Sequence, residues 1–370
     1  MNTISDVVPR GGLGRFANRL RVGGPVTVAY LGGSITWGGH ASDIERTSYR
    51  ALTTQWLERT YPRSVVRAIN AGVGGTGSDL GAFRVGRDVL AHEPDLVFLE
   101  FAVNDMGRSD ESVLAAFEGI VRAIRRARPG ADLCVVYTLH QDHLKEYASG
   151  ELPRTVMLHE QVAERYGLAS IHMARDAARR VAAGEVSWDT FSRDSCHPTD
   201  AGFAMYGQTL REGLTAMLAG PQDAGDVTLA PPLSADPWDA ATMRAVRPDD
   251  VGEGWSYRPM VASGGWNCFT GLLVADQPGA TVALPFEGRH GGLLFELGPS
   301  SGDIDVAVDD GPVTRLRVFD KWALGMTRPQ YRIVADGLMP GRHVMRVTVA
   351  GTSDERATGC DVRVGYVMSR

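Results

Sequence analysis

The sequence predicts an α/β protein: a three-layer α/β/α domain at 1–218, followed by an all-β sandwich or jelly-roll domain at 243–370. Three observations support this prediction. In the first domain, apolar runs typical of buried strands alternate with amphipathic stretches typical of helices, which favours βαβ units and a parallel sheet covered on both faces. A linker rich in Pro, Gly, Asp and Ala is expected at 219–242. Beyond it, short alternating segments lie between turn residues, as in antiparallel folds.

Composition narrows the class of protein. A chain of 370 residues is long enough for about two domains, and 44% hydrophobic with 22% charged residues is typical of globular proteins. The net charge of −6 argues against a general binder of nucleic acid. No apolar run is long enough to cross a bilayer, and the first 24 residues lack the pattern of a secretory signal. We therefore expect a cytoplasmic protein with no nucleic-acid or membrane partner.

The elements of the first domain are predicted in order. The first strand begins at Val26 and runs into Gly32-Gly33-Ser34, where glycines permit a tight turn. The further strands are predicted at 65–71, 96–102, 133–139 and 169–173. Helices are predicted between and after them, at 49–61, 79–92, 112–127, 155–166 and 201–218, and a polar loop is predicted at 140–153. The helix at 79–92 stops before Pro94, because the residue preceding a proline avoids the α region.

The second domain shows the period of two that is typical of strands. Predicted strands lie at 281–285, 292–297, 304–308, 314–319 and 343–349. Turn residues separate them at 309–311 and 338–341, and no helical stretch intervenes.

Residues that could take part in catalysis follow the predicted strands of the first domain. Ser34 follows the first strand, Gly75 the second and Asn104 the third, while Asp194 and His197 precede the last helix. Open α/β sheets bind ligands outside the carboxyl ends of their strands. We therefore expect these five residues at one edge of the sheet.

This set suits acyl transfer. A serine hydroxyl is a poor nucleophile until a base takes its proton; His197 can do so, and Asp194 can fix the tautomer of the imidazole. The backbone N–H groups of Ser34 and Gly75 and the amide of Asn104 can stabilise an oxyanion, each contributing about 3–4 kcal/mol.

The order of these blocks resembles that of the SGNH hydrolases, also called GDSL esterases and lipases. The matching blocks are Leu31-Gly32-Gly33-Ser34-Ile35-Thr36, Asn70 to Gly75, Ala102-Val103-Asn104-Asp105 and Asp194-Ser195-Cys196-His197-Pro198. The resemblance covers about Pro25 to Leu218 and implies a flavodoxin-like sheet of order 2-1-3-4-5. It also implies Ser34 as nucleophile, Gly75 and Asn104 as oxyanion donors, His197 as base and Asp194 as its partner.

The chain departs from the family pattern at two positions. Gly33 stands where the family has the aspartate of Gly-Asp-Ser, so other contacts must hold the nucleophile turn. Val103 replaces the glycine before the family asparagine, which narrows the space beside the oxyanion site. Gly72 and Gly74 compete with Gly75 for the role of donor.

Other residues near these blocks have two interpretations each. Trp37 is a wall of the acyl pocket or a core residue. His140 and His143 form a metal pair or belong to a solvated substrate loop, and the second is favoured because no third ligand is evident. Trp188 is a candidate for the edge of the acyl or alcohol site. Asp105 orients the neighbouring amide or caps the next segment, and the cap is favoured.

No metal or cofactor is expected. The cysteines are widely scattered and form no metal-type pair; they are Cys134, Cys196, Cys268 and Cys360. The glycines at 70–77 resemble a phosphate-binding loop, but the lysine of a P-loop does not follow them.

The second domain suggests a carbohydrate partner, by analogy with β modules attached to esterases. Trp322 and Tyr331 could stack on a sugar ring, although core packing explains most aromatic residues of the domain. The loop between 320 and 331 is the best candidate to reach a ligand or to cover the cleft of the first domain.

The leading hypothesis is a serine esterase or deacylase that hydrolyses an ester, with acetyl as one candidate, on a carbohydrate or small molecule. One alternative is an acyltransferase that passes the same acyl group to an alcohol or amine. The other is a non-catalytic glycan-binding protein, disfavoured because every catalytic residue is present. The sequence makes no prediction of the oligomeric state.

Overall fold

A computed structural model describes residues 6–219 and 229–370. The chain divides into two compact units, the first ending at Ala240 and the second running from Ala241 to Arg370. None of the helices in the described ranges is long and apolar enough to cross a membrane.

The first unit is built on a six-stranded sheet. Its strands are β1 (Val7–Val8), β2 (Gly24–Gly32), β3 (Ser64–Gly72), β4 (Leu96–Glu100), β5 (Asp132–Val136) and β6 (Ala169–Ile171). Their spatial order is β1-β6-β5-β4-β2-β3; β2 to β6 are mutually parallel, and β1 adds an antiparallel edge. Counted among the parallel strands alone, this is the predicted order 2-1-3-4-5, and the fold class is confirmed.

Helices cover the sheet in two groups. They are α1 (Gly14–Val22), α2 (Ser34–Trp37), α3 (Tyr49–Thr60), α4 (Ser78–Asp88), α5 (Asp110–Ala127), α6 (Leu144–Ser149), α7 (Arg154–Arg165), α8 (Met173–Ala182), α9 (Trp188–Phe191) and α10 (Asp200–Ala219). Helix α10 packs against α1, α3 and α8, whereas α5 packs against α4 and α7. Every residue of β4 and β5 is buried, as expected for strands covered on both faces.

One prediction for the first unit was wrong, and some of its helices were not predicted. The segment 140–153, predicted as a polar loop, contains a 3₁₀ turn at Gln141–His143 and helix α6. Helix α8 was not predicted, because its buried residues are mostly alanines, which give only a weak apolar signal, and its exposed face is rich in arginine.

The segment predicted as a linker, 219–242, divides into parts with different surroundings. Residues 220–228 lie outside the described residues. From 229 to 240 the chain packs on α5, where the buried carboxylate of Glu118 accepts hydrogen bonds from the backbone N–H groups of Leu233 (2.6 Å) and Ser234 (2.7 Å). The Arg122 guanidinium donates to Asp239 at 2.8 Å. This part of the chain belongs to the first unit.

Helix α5 is shaped to receive that segment. A side chain on Gly119 would collide with the backbone of Trp238, whose N–H donates to the carbonyl oxygen of Ala115 at 3.0 Å. The Trp238 ring lies 5.8 Å from the ring of Phe83 on α4. We name residues 229–240 the α5 strap.

The second unit consists of two antiparallel sheets, as predicted. Its strands are β7 (Thr242–Ala245), β8 (Ser256–Pro259), β9 (Gly271–Ala275), β10 (Thr281–Gly288), β11 (Gly291–Leu297), β12 (Gly302–Val308), β13 (Thr314–Leu316), β14 (Arg328–Ala335), β15 (Gly341–Ser353) and β16 (Val362–Ser369). One sheet has the order β10-β15-β12-β13 and the other β14-β11-β16-β9-β8, with β7 also paired to β16.

Alternating apolar residues from both sheets form the core between them. Val282, Leu284 and Phe286 on β10 are buried, while the residues between them are exposed or partly exposed. They share one core cluster with Leu293 and Phe295 of the other sheet. The period of two in the sequence thus becomes one buried face for each sheet.

Candidate active site

The nucleophile candidate lies where β2 turns into α2. Ser34 is the first residue of α2, and Gly33 precedes it in extended conformation. The Ser34 hydroxyl oxygen lies 2.7 Å from Nε2 of His197, which comes from the loop before α10. The serine residue is 7% exposed.

The same imidazole contacts Asp194 through its other nitrogen. His197 Nδ1 lies 2.7 Å from Asp194 Oδ2, while Asp194 Oδ1 accepts the backbone N–H groups of Cys196 (2.8 Å) and His197 (2.7 Å). Burial alone would raise the pKa of Asp194, but these hydrogen bonds and the imidazole outweigh it and lower the pKa to about 2. An ionised Asp194 accepts the Nδ1 proton, which leaves the Nε2 lone pair to face Ser34.

The loop that carries Asp194 and His197 is held at several points. The Trp188 indole N–H donates to the carbonyl oxygen of Asp194 at 2.9 Å. The Ser192 hydroxyl donates to the carbonyl oxygen of His197 at 2.7 Å. Trp188, predicted at the edge of the substrate site, therefore supports the backbone of the Asp-x-x-His segment.

The predicted oxyanion donors follow β3 and β4. Gly75 is exposed and has φ +67°, a left-handed conformation that favours glycine. The N–H of its competitor Gly72 is already used, since it donates to the side-chain oxygen of Asn70 at 3.1 Å. Asn104 lies directly over Gly33: a Cβ on Gly33 would lie 3.0 Å from Asn104 Cγ and closer still to its Oδ1.

A buried acid beside Asn104 connects the two donor segments. Asp105 Oδ1 accepts the backbone N–H of Ser78 at 2.9 Å and so caps α4, the helix that follows Gly75. Asp105 Oδ2 lies 3.0 Å from Nε2 of His159, whose ring stacks on Phe117 at 3.8 Å. Asp105 therefore caps a helix, although it is the preceding helix rather than the next segment.

Sequence reasoning missed Glu100, the last residue of β4. Its buried carboxylate accepts hydrogen bonds from the hydroxyls of Thr138 (2.7 Å) and Thr36 (2.9 Å) and from the backbone N–H of Gly33. Burial raises the pKa of Glu100 despite these hydrogen bonds. The signal in the sequence was an acidic residue at the end of an apolar, buried strand. A carboxylate buried there needs hydrogen-bond donors around it.

His40 was also missed. Its Nδ1 lies 3.8 Å from Asp194 Oδ2, and its ring centroid lies 5.0 Å from that of His197. Within the described ranges, these three residues are also the one group of His, Cys, Asp and Glu side chains placed closely enough to hold a metal ion. The sequence signal was a histidine six residues after the nucleophile.

The remaining candidates of the first unit lie near these loops. Trp37 is half-buried; its carbonyl oxygen accepts the Asn70 amide at 3.1 Å, and its backbone lies against Gly72. His140 is partly buried, with its ring centroid 6.0 Å from that of His143.

Trp322 and Tyr331 belong to the second unit. Trp322 is 60% exposed, and the ammonium group of Lys321 lies 4.8 Å from the centroid of its ring. Tyr331 lies on β14 and is partly buried.

Comparisons with known proteins show similarity in both sequence and fold. A model of the GDSL-like lipase/acylhydrolase family matches residues 30–205. An acetylxylan esterase of Geobacillus stearothermophilus is 33% identical over 97 residues, which are 24% of this chain and 44% of that enzyme. The match thus spans less than half the length of that curated relative.

Two solved structures of a two-domain esterase, CEX, active on acetylated mannans, share the fold across both units. One of them is co-crystallised with mannopentaose. Each aligns with this chain with a TM-score of 0.81 and 22% sequence identity. Each alignment includes 98% of this chain, and it includes 96% of the chain with mannopentaose and 98% of the other. The family match includes the blocks around Ser34, Gly75, Asn104 and His197, so this part of the first unit is similar to the GDSL-like lipase/acylhydrolase family.

Proposed function

We propose that the protein is a serine esterase that removes acetyl groups from a carbohydrate through an acyl-enzyme. The observation that supports this most directly is the unbroken chain of contacts from Ser34 through His197 to Asp194, with 2.7 Å at each contact. Such a chain activates a serine hydroxyl for attack on an ester carbonyl.

The proposed reaction has two halves. Ser34 Oγ attacks the ester carbonyl carbon while His197 Nε2 takes its proton, and the oxyanion is stabilised by the N–H groups of Ser34 and Gly75 and the amide of Asn104. The C–O bond then breaks, and the leaving alcohol takes the proton from His197. Water repeats these steps on the acyl-serine and releases acetate.

A carbohydrate ester is the proposed substrate because of the relatives. The two-domain esterase that shares the whole fold is active on acetylated mannans, and the curated relative is an acetylxylan esterase. Exposed Trp322 in the second unit gives a flat apolar surface of the kind that packs on sugar rings, and we keep Trp322 and Tyr331 as candidate contacts.

Hydrolysis is favoured over transfer to an acceptor by the exposure of the catalytic pair. The side chains of His197 and Asp194 are 22% and 38% exposed, so water has access to the base. An acyltransferase needs a site that excludes water from the acyl-enzyme. The cytoplasmic location stays a prediction, which cell fractionation would test.

Ser34→Ala in the full chain tests the proposal. Turnover of p-nitrophenyl acetate, butyrate and octanoate and release of acetate from acetylated mannan and xylan would be measured for both proteins. We expect a loss on the order of 10⁴-fold or more, with acetate the preferred acyl group in the wild type. Ser149→Ala, at an exposed serine of α6, is the matched control. Unchanged turnover by Ser34→Ala would disprove the serine mechanism.

A further inference from the structure

The loop after α2 brings a second histidine to the catalytic pair. We propose that His40 is a specificity residue that hydrogen-bonds a hydroxyl group on the alcohol half of the ester, and so selects sugar esters over esters of simple alcohols. This inference rests on the proposed esterase function and adds a residue that neither the sequence motifs nor the comparisons assign.

The path of the loop places His40 beside the imidazole. Gly39 lies directly against the catalytic pair: a Cβ there would lie 3.3 Å from Cδ2 of His197 and 3.2 Å from the carbonyl oxygen of Ser34. Because Gly39 lies so near the imidazole that a side chain on it would meet the ring, the next side chain along the loop can also come close to it. That side chain is His40, with its ring centroid 5.0 Å from that of His197.

His40 has an unfavourable backbone conformation, which the hydrogen bonds of its loop hold in place. His40 has φ +69°, a left-handed conformation that costs a non-glycine residue about 1–2 kcal/mol. The loop is fixed by Asp200, whose carboxylate accepts the Ser42 N–H at 2.9 Å, the Thr47 hydroxyl at 2.8 Å and the Ser42 hydroxyl. Asp200 begins α10, three residues after His197, so the loop and the catalytic histidine share one anchor.

His40 is not placed to orient the catalytic histidine. Its Nδ1 is 3.8 Å from Asp194 Oδ2, too far for a hydrogen bond, and that oxygen already binds His197. The His40 side chain is 51% exposed and makes no hydrogen bond to any residue in the described ranges. Its ring nitrogens are therefore available to a ligand.

The alcohol half of the substrate is the ligand that fits this position. The imidazole that takes the serine proton must pass it to the leaving alcohol, so the alcohol oxygen lies next to His197 Nε2, whereas the carbonyl oxygen lies at Asn104. A neutral imidazole has one donor and one acceptor nitrogen, which suits the hydroxyl groups beside a sugar ester. A simple alcohol has no such hydroxyl group.

The test compares two acetate esters with full-length wild type, His40→Ala and His40→Gln. The substrates are a monoacetylated methyl mannoside and ethyl acetate. We expect His40→Ala to lower the ratio of their kcat/KM values about tenfold, the effect of one hydrogen bond. His40→Gln retains a donor and an acceptor and should recover part of that ratio. His92→Ala, a histidine before the amino end of β4, is the control.

Two outcomes would overturn the inference. Equal losses on both esters would mean that His40 only supports the catalytic pair, and an unchanged ratio with unchanged rates would mean that it has no role. Failure of the esterase proposal has a different signature, because then Ser34→Ala would leave turnover of both esters intact.

Discussion

Asp194 is held as an anion by groups that belong to its own loop. The backbone N–H groups of Cys196 and His197 bind one of its oxygens whether or not the imidazole is charged. A carboxyl group whose pKa is lower in the folded protein stabilises the fold at pH values above its unfolded pKa, and this stabilisation is lost as the pH falls through its folded pKa. For Asp194 the pKa is about 3.8 in the unfolded chain and about 2 in the folded protein. Its charge is therefore constant at any pH at which the enzyme would be assayed.

This predicts a simple acid limb for the reaction. On p-nitrophenyl acetate, log kcat/KM should rise with pH with a slope no greater than one above about pH 4, because Asp194 is already ionised there and loses no further proton. The measurement is a pH–rate profile of the wild type. A slope approaching two would mean that Asp194 titrates with the base, contrary to its hydrogen bonds.

Gly33 is the residue where the nucleophile turn differs from the family pattern. We expect Gly33→Ala to lower kcat for p-nitrophenyl acetate about 100-fold with a smaller effect on KM, because the new Cβ must displace the Asn104 amide from the oxyanion site. Gly107→Ala is the matched control, since a Cβ at that position meets no atom within 4 Å. Equal kcat values for the two variants would contradict the assignment of Asn104.

At the scale of elements, Glu100 joins three parts of the sheet edge. It ends β4, its carboxylate accepts from Thr36 in α2 and from Thr138 after β5, and the Gly33 N–H also donates to it. Through Thr36 and the Gly33 N–H, it holds the nucleophile turn at the place where the family pattern has an aspartate. Burial raises the pKa of Glu100 above its ordinary value of 4.5. The contribution of this group to stability is therefore complete at pH values below 4.5 and is lost as the pH rises through the folded pKa.

Thr138→Val isolates one of these hydrogen bonds. The variant keeps the shape of the side chain but removes a donor to the charged carboxylate, so it should raise the pKa of Glu100 further. We expect a loss in the free energy of unfolding of about 1–3 kcal/mol at about pH 8 and a smaller loss at about pH 5. Urea unfolding at both pH values measures it. An equal loss at both would show that Glu100 is not the group affected.

At the scale of the whole molecule, we propose that the first domain ends after the α5 strap. A fragment that ends at 219 leaves Glu118 without the Leu233 and Ser234 N–H groups and exposes Gly119. We expect it to be less stable in urea than a fragment that ends at 240, by on the order of 3 kcal/mol. Equal urea midpoints for the two fragments would contradict this boundary and favour a first domain that ends at 218.

Much of the fold was predictable because its signals are local. Alternating helices and strands predicted the parallel sheet, the resemblance to the SGNH hydrolases implied its order, and the period of two predicted the antiparallel unit. Helix α8 was missed since Ala174, Ala177 and Ala178 bury little apolar area each. Strand β14 was missed because its second residue is Pro329, and proline is uncommon within strands.

The candidate site was predictable to the extent that its residues lie in short blocks. Ser34, Asn104 and the Asp-x-x-His segment could be recognised because their short blocks occur together in the order of the family. His40 and Glu100 could not, because their importance depends on distances across the fold: His40 approaches Asp194 through a loop anchored by Asp200, and Glu100 meets Thr138 from the next strand.

The missing side chain of Gly33 also limits how this sequence can change. An aspartate at that position would meet the Asn104 amide, and would add a second acid to a turn whose N–H already binds Glu100. Asn104 must therefore shift before the turn can accept an aspartate at position 33. The change to Gly-Asp-Ser thus calls for a coordinated substitution near Asn104 rather than one mutation alone.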